Sequence, residues 1–220
     1  MSKIDEMTCS ECGQMHCFRH EKRYPEFCAT ENLAPEERAE IVDLYAGDGE
    51  DARMARAATE VEGVYYGKVN RIEETIAFAR RIGARRIGIA SCIGLLEETK
   101  TLVKILRLAG MEPLTVACKV GSVDKSEVGV PEELKVKCGS FEAFCNPVLQ
   151  ARLLNREKTD LNIIMGLCVG HDSLFARHSE APVTTLVVKD RVLAHNPVAA
   201  LYTTRFYNAR LLDEERLRSL

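Results

Sequence analysis

Cysteine is the residue through which this chain can do chemistry: nine of its 220 residues are Cys, and eight of them fall into two sets. The first set is Cys9, Cys12, Cys17 and Cys28, spaced Cys-x2-Cys-x4-Cys-x10-Cys, with Gly13 directly after the close pair. A Cys-x2-Cys turn lets both sulfurs face one point. Four thiolates this close in sequence suit tetrahedral zinc or an iron–sulfur centre. His16 and His20 stand ready to replace one thiolate. The second set is long-range. Cys92, Cys118 and Cys168 each follow a short apolar run, and Cys145 stands just before Asn146-Pro147, a pair that opens helices. A helix N-terminus favours a thiolate beside it.

The run Asp160–Asp172, DLNIIMGLCVGHD, shows what these thiols require. Leu161–Met165 is nearly continuous apolar sequence, the pattern of a strand buried on both faces of a parallel sheet. Turns at Gly166 and Gly170 then present Cys168, His171 and Asp172. A parallel sheet brings such residues together at the carboxyl ends of its strands, where open α/β folds bind ligands. There Cys92, Cys118, Cys145 and Cys168 can bind a cubane iron–sulfur cluster, or three can bind it and leave one iron free for substrate. Zinc is the other thiolate-compatible occupant. His171 and Asp172 are candidates for acid–base work, while Asp172 also fits a helix cap. His195 either reaches the same edge or sits in a turn. Lys119, Lys125, Lys189 and Arg191 lie near strand ends, where they can hold an anion or balance thiolate charge. Cys138 lies in mid-loop, with neither strand nor cap logic, and is left outside the site. No Gly-x-Gly-x-x-Gly follows the first strand and no Walker loop is present, which argues against dinucleotide and nucleotide chemistry.

The elements that must position these residues follow from periodicity. Pro35 opens a helix with apolar residues Ile41, Val42, Leu44 and Tyr45, ending at Gly47; a second spans Asp51–Glu60; a third carries Val69, Ile72, Ile76, Ala79 and Ile82 and stops at Gly83. Strand Arg86–Ala90, a helix from Gly94 to Gly110 and strand Glu112–Ala117 form a βαβ unit, hence parallel neighbours. Residues 119–144, rich in Gly and Pro, form a long excursion of the kind that usually has a function. A helix from Cys145-Asn146-Pro147 through Arg152, strand Leu161–Met165, a short helix at Ser173–Arg177, strand Pro182–Lys189 and a final helical stretch complete the chain. The expectation is an α/β fold: a three-layer, Rossmann-like sandwich with a mainly parallel sheet of four strands or slightly more, ordered 2-1-3-4. Residues 1–32 form a cysteine-rich metal knuckle, and residues 33–220 a helical lead-in and the body.

Composition narrows the partners. A net charge of -3 gives no reason to expect nucleic acid or a membrane surface, and no apolar run is long enough to span a bilayer. The start MSKIDEMT has no apolar signal core, so the expected compartment is the cytoplasm. There, cysteines serve as ligands, nucleophiles or small buried hydrophobes rather than disulfides.

The run Cys145-Asn-Pro, the stretch MGLCVGHDSLF at Met165–Phe175, the stretch APVTTLVVKDRVLAHNPVAALY at Ala181–Tyr202 and the N-terminal cysteines together resemble a prokaryotic family of predicted metal-binding proteins, domain of unknown function 1847. The resemblance implies metal binding, with no established reaction. The expected function is a metalloprotein whose sheet-edge cysteines hold an iron–sulfur cluster, with or without zinc at the knuckle. It would carry out redox or sulfur chemistry on a small-molecule substrate or with a redox partner. The alternatives are a non-catalytic, zinc-stabilised binding or regulatory module, and metal-free thiol chemistry centred on Cys145.

Overall fold

A computed structural model describes residues 9–19, 21 and 23–220. The chain divides into two compact units, residues 1–63 and 64–220. The first holds a short turn of 3-10 helix at Cys9–Glu11, helix α1 (His16–Arg19), helix α2 (Pro35–Ala46) and most of helix α3 (Glu50–Tyr65). Pro35 starts α2 as its sequence suggests, and α3 runs one turn beyond the expected end at Glu60. The apolar residues of α2 stay half-exposed: Ile41, Val42, Leu44 and Tyr45 are all accessible, and none of the helix is buried. Arg56 ties the two helices together by donating to the Gly47 carbonyl at 2.7 Å.

The second unit opens with helix α4 (Arg71–Arg81), set by a capping box in which Asn70 accepts from the Ile72 and Glu73 amides while Glu73 accepts from the Asn70 amide. Strand β1 (Arg86–Ser91), helix α5 (Leu96–Leu108), strand β2 (Glu112–Ala117), the excursion, helix α6 (Pro147–Arg156), strand β3 (Leu161–Met165), helix α7 (His171–His178) and strand β4 (Val183–Val187) follow, then helices α8 (Val198–Tyr202) and α9 (Glu214–Arg218). All strand pairs are parallel, in the order β2-β1-β3-β4 expected from the sequence. Strand β3 is buried throughout, as its unbroken apolar run requires.

Alternation along β1 and β3 divides the core in two. Ile87, Ile89, Leu161 and Ile163 pack with Ala79 of α4 and with Leu102 and Leu106 of α5. Ala90 and Ile164 pack with Ala151 and Leu154 of α6 and Phe175 of α7. Helices therefore flank an all-parallel four-stranded sheet on both faces. The second face has no room at Gly88, where an added Cβ would collide with Asn162 Oδ1 and stand 2.9 Å from Leu154. Asn162 is fully buried there, accepting from Thr159 Oγ1 and donating to Ser179 Oγ, each at 2.8 Å.

The N-terminal cysteines do not form a closed knuckle in the described residues. No group of three or more Cys, His, Asp or Glu side chains gathers around one point among them. Cys9 and Cys17 are exposed and Cys12 and Cys28 half-exposed, with no buried residue in the 3-10 turn or α1 to draw them together. The described part of this segment has no apolar core of its own to hold it closed. His20 lies outside the described residues. Among the described residues no helix is long and apolar enough to cross a membrane.

Candidate functional site

Four local structures deliver the second set of cysteines to the carboxyl edge of the sheet. Cys92 directly follows β1, its amide donating to the Met165 carbonyl at 3.0 Å, and Cys118 directly follows β2, its amide donating to Ser91 at 2.8 Å. Both thus continue the ladder one step past the strands. Cys145 comes back from the excursion. The Asn146 amide donates to the Cys118 carbonyl at 2.8 Å, and the Asn146 side chain then caps α6 by accepting from Leu149. Cys168 leaves β3 through Gly166, whose φ of +69° suits glycine; a Cβ there would also strike Leu95. The carbonyl of Cys168 accepts the amides of His171 and Asp172, so the thiol turn and the first turn of α7 are one structure.

Three of the four side chains make a connected set, and Cys168 meets Arg191 instead. The sulfurs of Cys118 and Cys145 are 4.0 Å apart. Cys118 also bonds Cys92 through sulfur and accepts the Ile93 amide at 3.3 Å. Each of the other three thiols has its own cation: Lys119 donates to Cys145 at 3.1 Å, Lys189 to Cys92 at 3.4 Å and Arg191 to Cys168 at 3.0 Å. With cations on both sides, the one proton that can be shared resides on Cys118. Its hydrogen bonds to Cys145 and Cys92, and its burial, push its own thiol up. Cys145 is pulled down to about 5, first by the Cys118 thiol, then by Lys119 and His171, against the cost of burial. Cys92 is likewise pulled down to about 5 by Cys118, by the Gly94 amide and by Lys189. Arg191 is held above its usual range by Cys168 and, more weakly, by the charges of Cys92 and Cys145. Two depressed thiols, Cys92 and Cys145, thus flank a protonated Cys118, each with a lysine beside it.

The remaining candidates divide. His171 stands at the site, its ring edge-on to Phe144 with centroids 6.3 Å apart and its charge felt by Cys145. The Asp172 carboxylate bonds locally, accepting the Ser173 amide at 2.8 Å in the first turn of α7. His195 belongs to a turn: with φ of +63°, its Nδ1 accepts the Asp190 amide at 3.2 Å. Lys125 pairs with Glu142 in the excursion rather than with a thiol. Cys138 is exposed and apart from the set.

Of two positioning groups, Gln150 carries no signal in the sequence, while Lys119, already marked by its place at a strand end, has a second role. Gln150 of α6, fully buried, donates to the carbonyls of Ser91 at 3.2 Å and Val116 at 2.6 Å, fastening α6 to the ends of β1 and β2. Lys119 also donates to the Ala143 carbonyl at 2.6 Å, so one ammonium holds both the returning backbone and the thiol it delivers.

The donor set suits a thiophilic centre: four sulfurs, with cations able to balance the net negative charge that such ligands give it. These thiols do not close around a single point, since no group of three metal-capable side chains does so among the described residues.

Comparison of the sequence with known proteins gives its family. Residues 28–186 match the proteins of unknown function grouped as DUF1847, a span that contains all four sheet-edge cysteines. An uncharacterized protein of Methanocaldococcus jannaschii is 41% identical over 207 residues, covering 94% of this chain and 99% of the relative. The chain belongs to the DUF1847 family, whose function is unknown.

Proposed function

We propose that the carboxyl edge of the sheet is a cysteine-ligated metal centre, an iron–sulfur cluster held by Cys92, Cys118, Cys145 and Cys168, serving redox or sulfur chemistry on a small molecule in the cytoplasm. The observation that carries the reading is placement at a common edge. Four thiols spread over 77 residues of sequence meet at one Rossmann-like sheet edge, and three of them hold a cation each. A cluster takes each thiolate on a different iron, so its ligands need not converge on one point. When bound it supplies electron transfer or a Lewis acid. The chain's own residues do the rest. Lys119, Lys189 and Arg191 offset the charge, His171 carries protons at the mouth, and Asp172 holds the helix turn from which His171 projects. Cys9, Cys12, Cys17 and Cys28 form a second, structural site that the metal itself closes.

The second reading is zinc at the sheet edge in a binding or regulatory module. The 4.0 Å between the sulfurs of Cys118 and Cys145 favours it, being near the edge of a sulfur tetrahedron around zinc, roughly 3.8 Å for Zn–S bonds of about 2.3 Å. Metal and acid-labile sulfide on anaerobically purified protein decide between the two. The cluster reading expects about four iron and four sulfide per chain, with about one zinc at the N-terminal site. Two zinc and no sulfide would replace it with the second reading. Protein without metal at the sheet edge would sink both.

A further inference from the structure

The inner sulfurs of the sheet edge meet in pairs, and both pairs run through Cys118. The sulfurs of Cys118 and Cys145 are 4.0 Å apart, and the Asn146 amide, donating to the Cys118 carbonyl at 2.8 Å, holds the two backbones side by side. Cys92 and Cys118 follow Ser91 and Ala117, the last pair of the β1–β2 register, and the ladder continues through the Cys118 amide to the Ser91 carbonyl. Neighbouring strands lie about 4.8 Å apart, inside the roughly 4.4–6.8 Å that the Cα atoms of a disulfide span. Access to the three is unequal. Cys92 and Cys118 are 8% and 3% exposed, within the second apolar cluster, while Cys145 is half-exposed at its rim with the Lys119 ammonium 3.1 Å from its sulfur. The Cys168 sulfur meets Arg191, and Cys138 is exposed and apart.

Going beyond the metal-centre reading and independent of it, we infer that the metal-free sheet edge is a thiol–disulfide relay for a small disulfide substrate, with Cys145 as the entry sulfur, Cys118 as the shared partner and Cys92 as the inner terminus. The Cys145 thiolate, beside Lys119, attacks one sulfur of R–S–S–R; Cys145–S–S–R forms and RS⁻ leaves. Cys118 then gives up its proton and attacks the Cys145 sulfur. The Cys118–Cys145 disulfide forms, and the second R group leaves as RSH with that proton. The chain has lost two electrons and the substrate has gained them. The Cys92 thiolate next attacks the Cys118 sulfur, which moves the bond to Cys92–Cys118 and returns Cys145 as a thiolate with no net change in oxidation. The end state is a free thiolate at the rim and a disulfide sealed in the apolar cluster, and the stored bond returns to the rim only through Cys145. Because the entry sulfur is itself half-buried, its substrate is a low-molecular-weight disulfide rather than one within a folded protein.

The test treats the full chain, reduced and freed of metal by a chelator, with one equivalent of bis(2-hydroxyethyl) disulfide, and maps the products peptide by peptide in acid-quenched samples. In the wild type, Cys118–Cys145 is expected to appear first and Cys92–Cys118 to replace it, with Cys168 left as a thiol. Cys92→Ala is expected to stop at Cys118–Cys145, and Cys118→Ser to accumulate the reagent adduct on Cys145 at least about tenfold above wild type. A thermal unfolding midpoint for each variant separates a chemical effect from failure to fold. Should the two buried variants unfold, Cys145→Ser at the half-exposed position decides: without its entry sulfur, Cys92–Cys118 is expected to form at least about tenfold more slowly. Cys92–Cys118 forming at the wild-type rate in Cys145→Ser would overturn the proposal. So would a wild type in which the adduct persists on Cys145, or in which Cys145 pairs with Cys168 or Cys138. The same reaction on protein as purified keeps the two readings apart. Relay products formed there as fast as in the chelated protein would support the relay and overturn the metal centre, since bound metal occupies the same sulfurs.

Discussion

Cys118 organises the site at the scale of single residues because it alone among the four thiols meets other sulfurs and a backbone amide rather than a cation. Buried between two thiolates, it keeps its one proton, and sharing that proton with either neighbour helps keep Cys92 and Cys145 ionised. The sign of the resulting pH dependence is definite. A thiol depressed to about 5 in the folded protein, against about 8.5 in the unfolded chain, stabilises the fold fully above the unfolded value. That contribution declines as pH falls and is gone once pH has passed through about 5. Reactivity follows the same titration. In full-length protein stripped of metal by a chelator, alkylation of Cys145 is expected to show a midpoint near 5 and to be flat between pH 7 and 8, where a small-molecule thiol still accelerates. Lys119→Met removes one of the depressing partners and moves the midpoint up. Peptide mass spectrometry across the pH series reads this directly, and a Cys145 midpoint at or above 8 would show that its neighbours do not hold the thiolate. Asn146-Pro147 marks Cys145 as a thiolate position through the helix N-terminus, which is not among the leading causes that depress it. The principal cause is contact with Cys118, 27 residues away, and no local pattern announces a contact of that range.

At the scale of elements, the excursion between β2 and α6 is what brings Cys145 to the site, and charge rather than an apolar core holds it together. The Lys135 side chain is 3% exposed and pairs with Asp124 at 2.8 Å and with Glu132, while Lys125 pairs with Glu142. Asp124 also caps a short turn through Ser126, accepts the Glu142 amide at 3.0 Å and bridges to Ala143, two residues from Cys145. Lys135 and Ser126 hold the Asp124 carboxyl below the usual carboxylate range, and Lys135 and Lys125 do the same for Glu132 and Glu142; Asp124 in turn raises Lys135. Depressed carboxylates stabilise above their unfolded values near 4 and lose that contribution as pH falls. A raised lysine stabilises below its unfolded value near 10.4 and loses its contribution as pH rises through the folded value. The excursion should therefore be firm between about pH 5 and 10 and loosen on either side. Hydrogen exchange over residues 123–143 is expected to accelerate below about pH 4 while β1 and β3 stay protected, and Lys135→Met to produce the same loosening at pH 7. Exchange in the variant equal to wild type at pH 7 would remove Lys135 from this role. The sequence marks this segment as a long loop through its Gly and Pro. It does not mark the ion pairs, since a lysine that ends up buried looks like any surface charge until its partners are placed.

At the scale of the whole molecule, the parallel sheet was the most legible feature, because unbroken apolar runs such as Leu161–Met165 leave a strand buried on both faces as the economical reading. The strand order followed from placing the switch point between the first and third strands. The N-terminal third was less legible: α2 has apolar residues at helical spacing, yet leaves them half-exposed, and the four-cysteine spacing names ligands without supplying any force to assemble them. This contrast makes the two units separable in principle. Both apolar clusters, all four strands and Cys92, Cys118, Cys145 and Cys168 lie within residues 64–220. The first residues of that stretch also contribute a contact of their own, Arg81 lying 5.6 Å over the Tyr65 ring. A chain reduced to residues 64–220 is therefore expected to unfold in one cooperative transition and to retain the iron and sulfide of the full protein, while losing the zinc assigned to Cys9, Cys12, Cys17 and Cys28. Metal analysis of the two chains side by side checks this. If the shortened chain folds with a sharp transition but gives up its iron and sulfide as well, the sheet-edge centre needs residues of the first unit, and the ligand set drawn from Cys92, Cys118, Cys145 and Cys168 is incomplete.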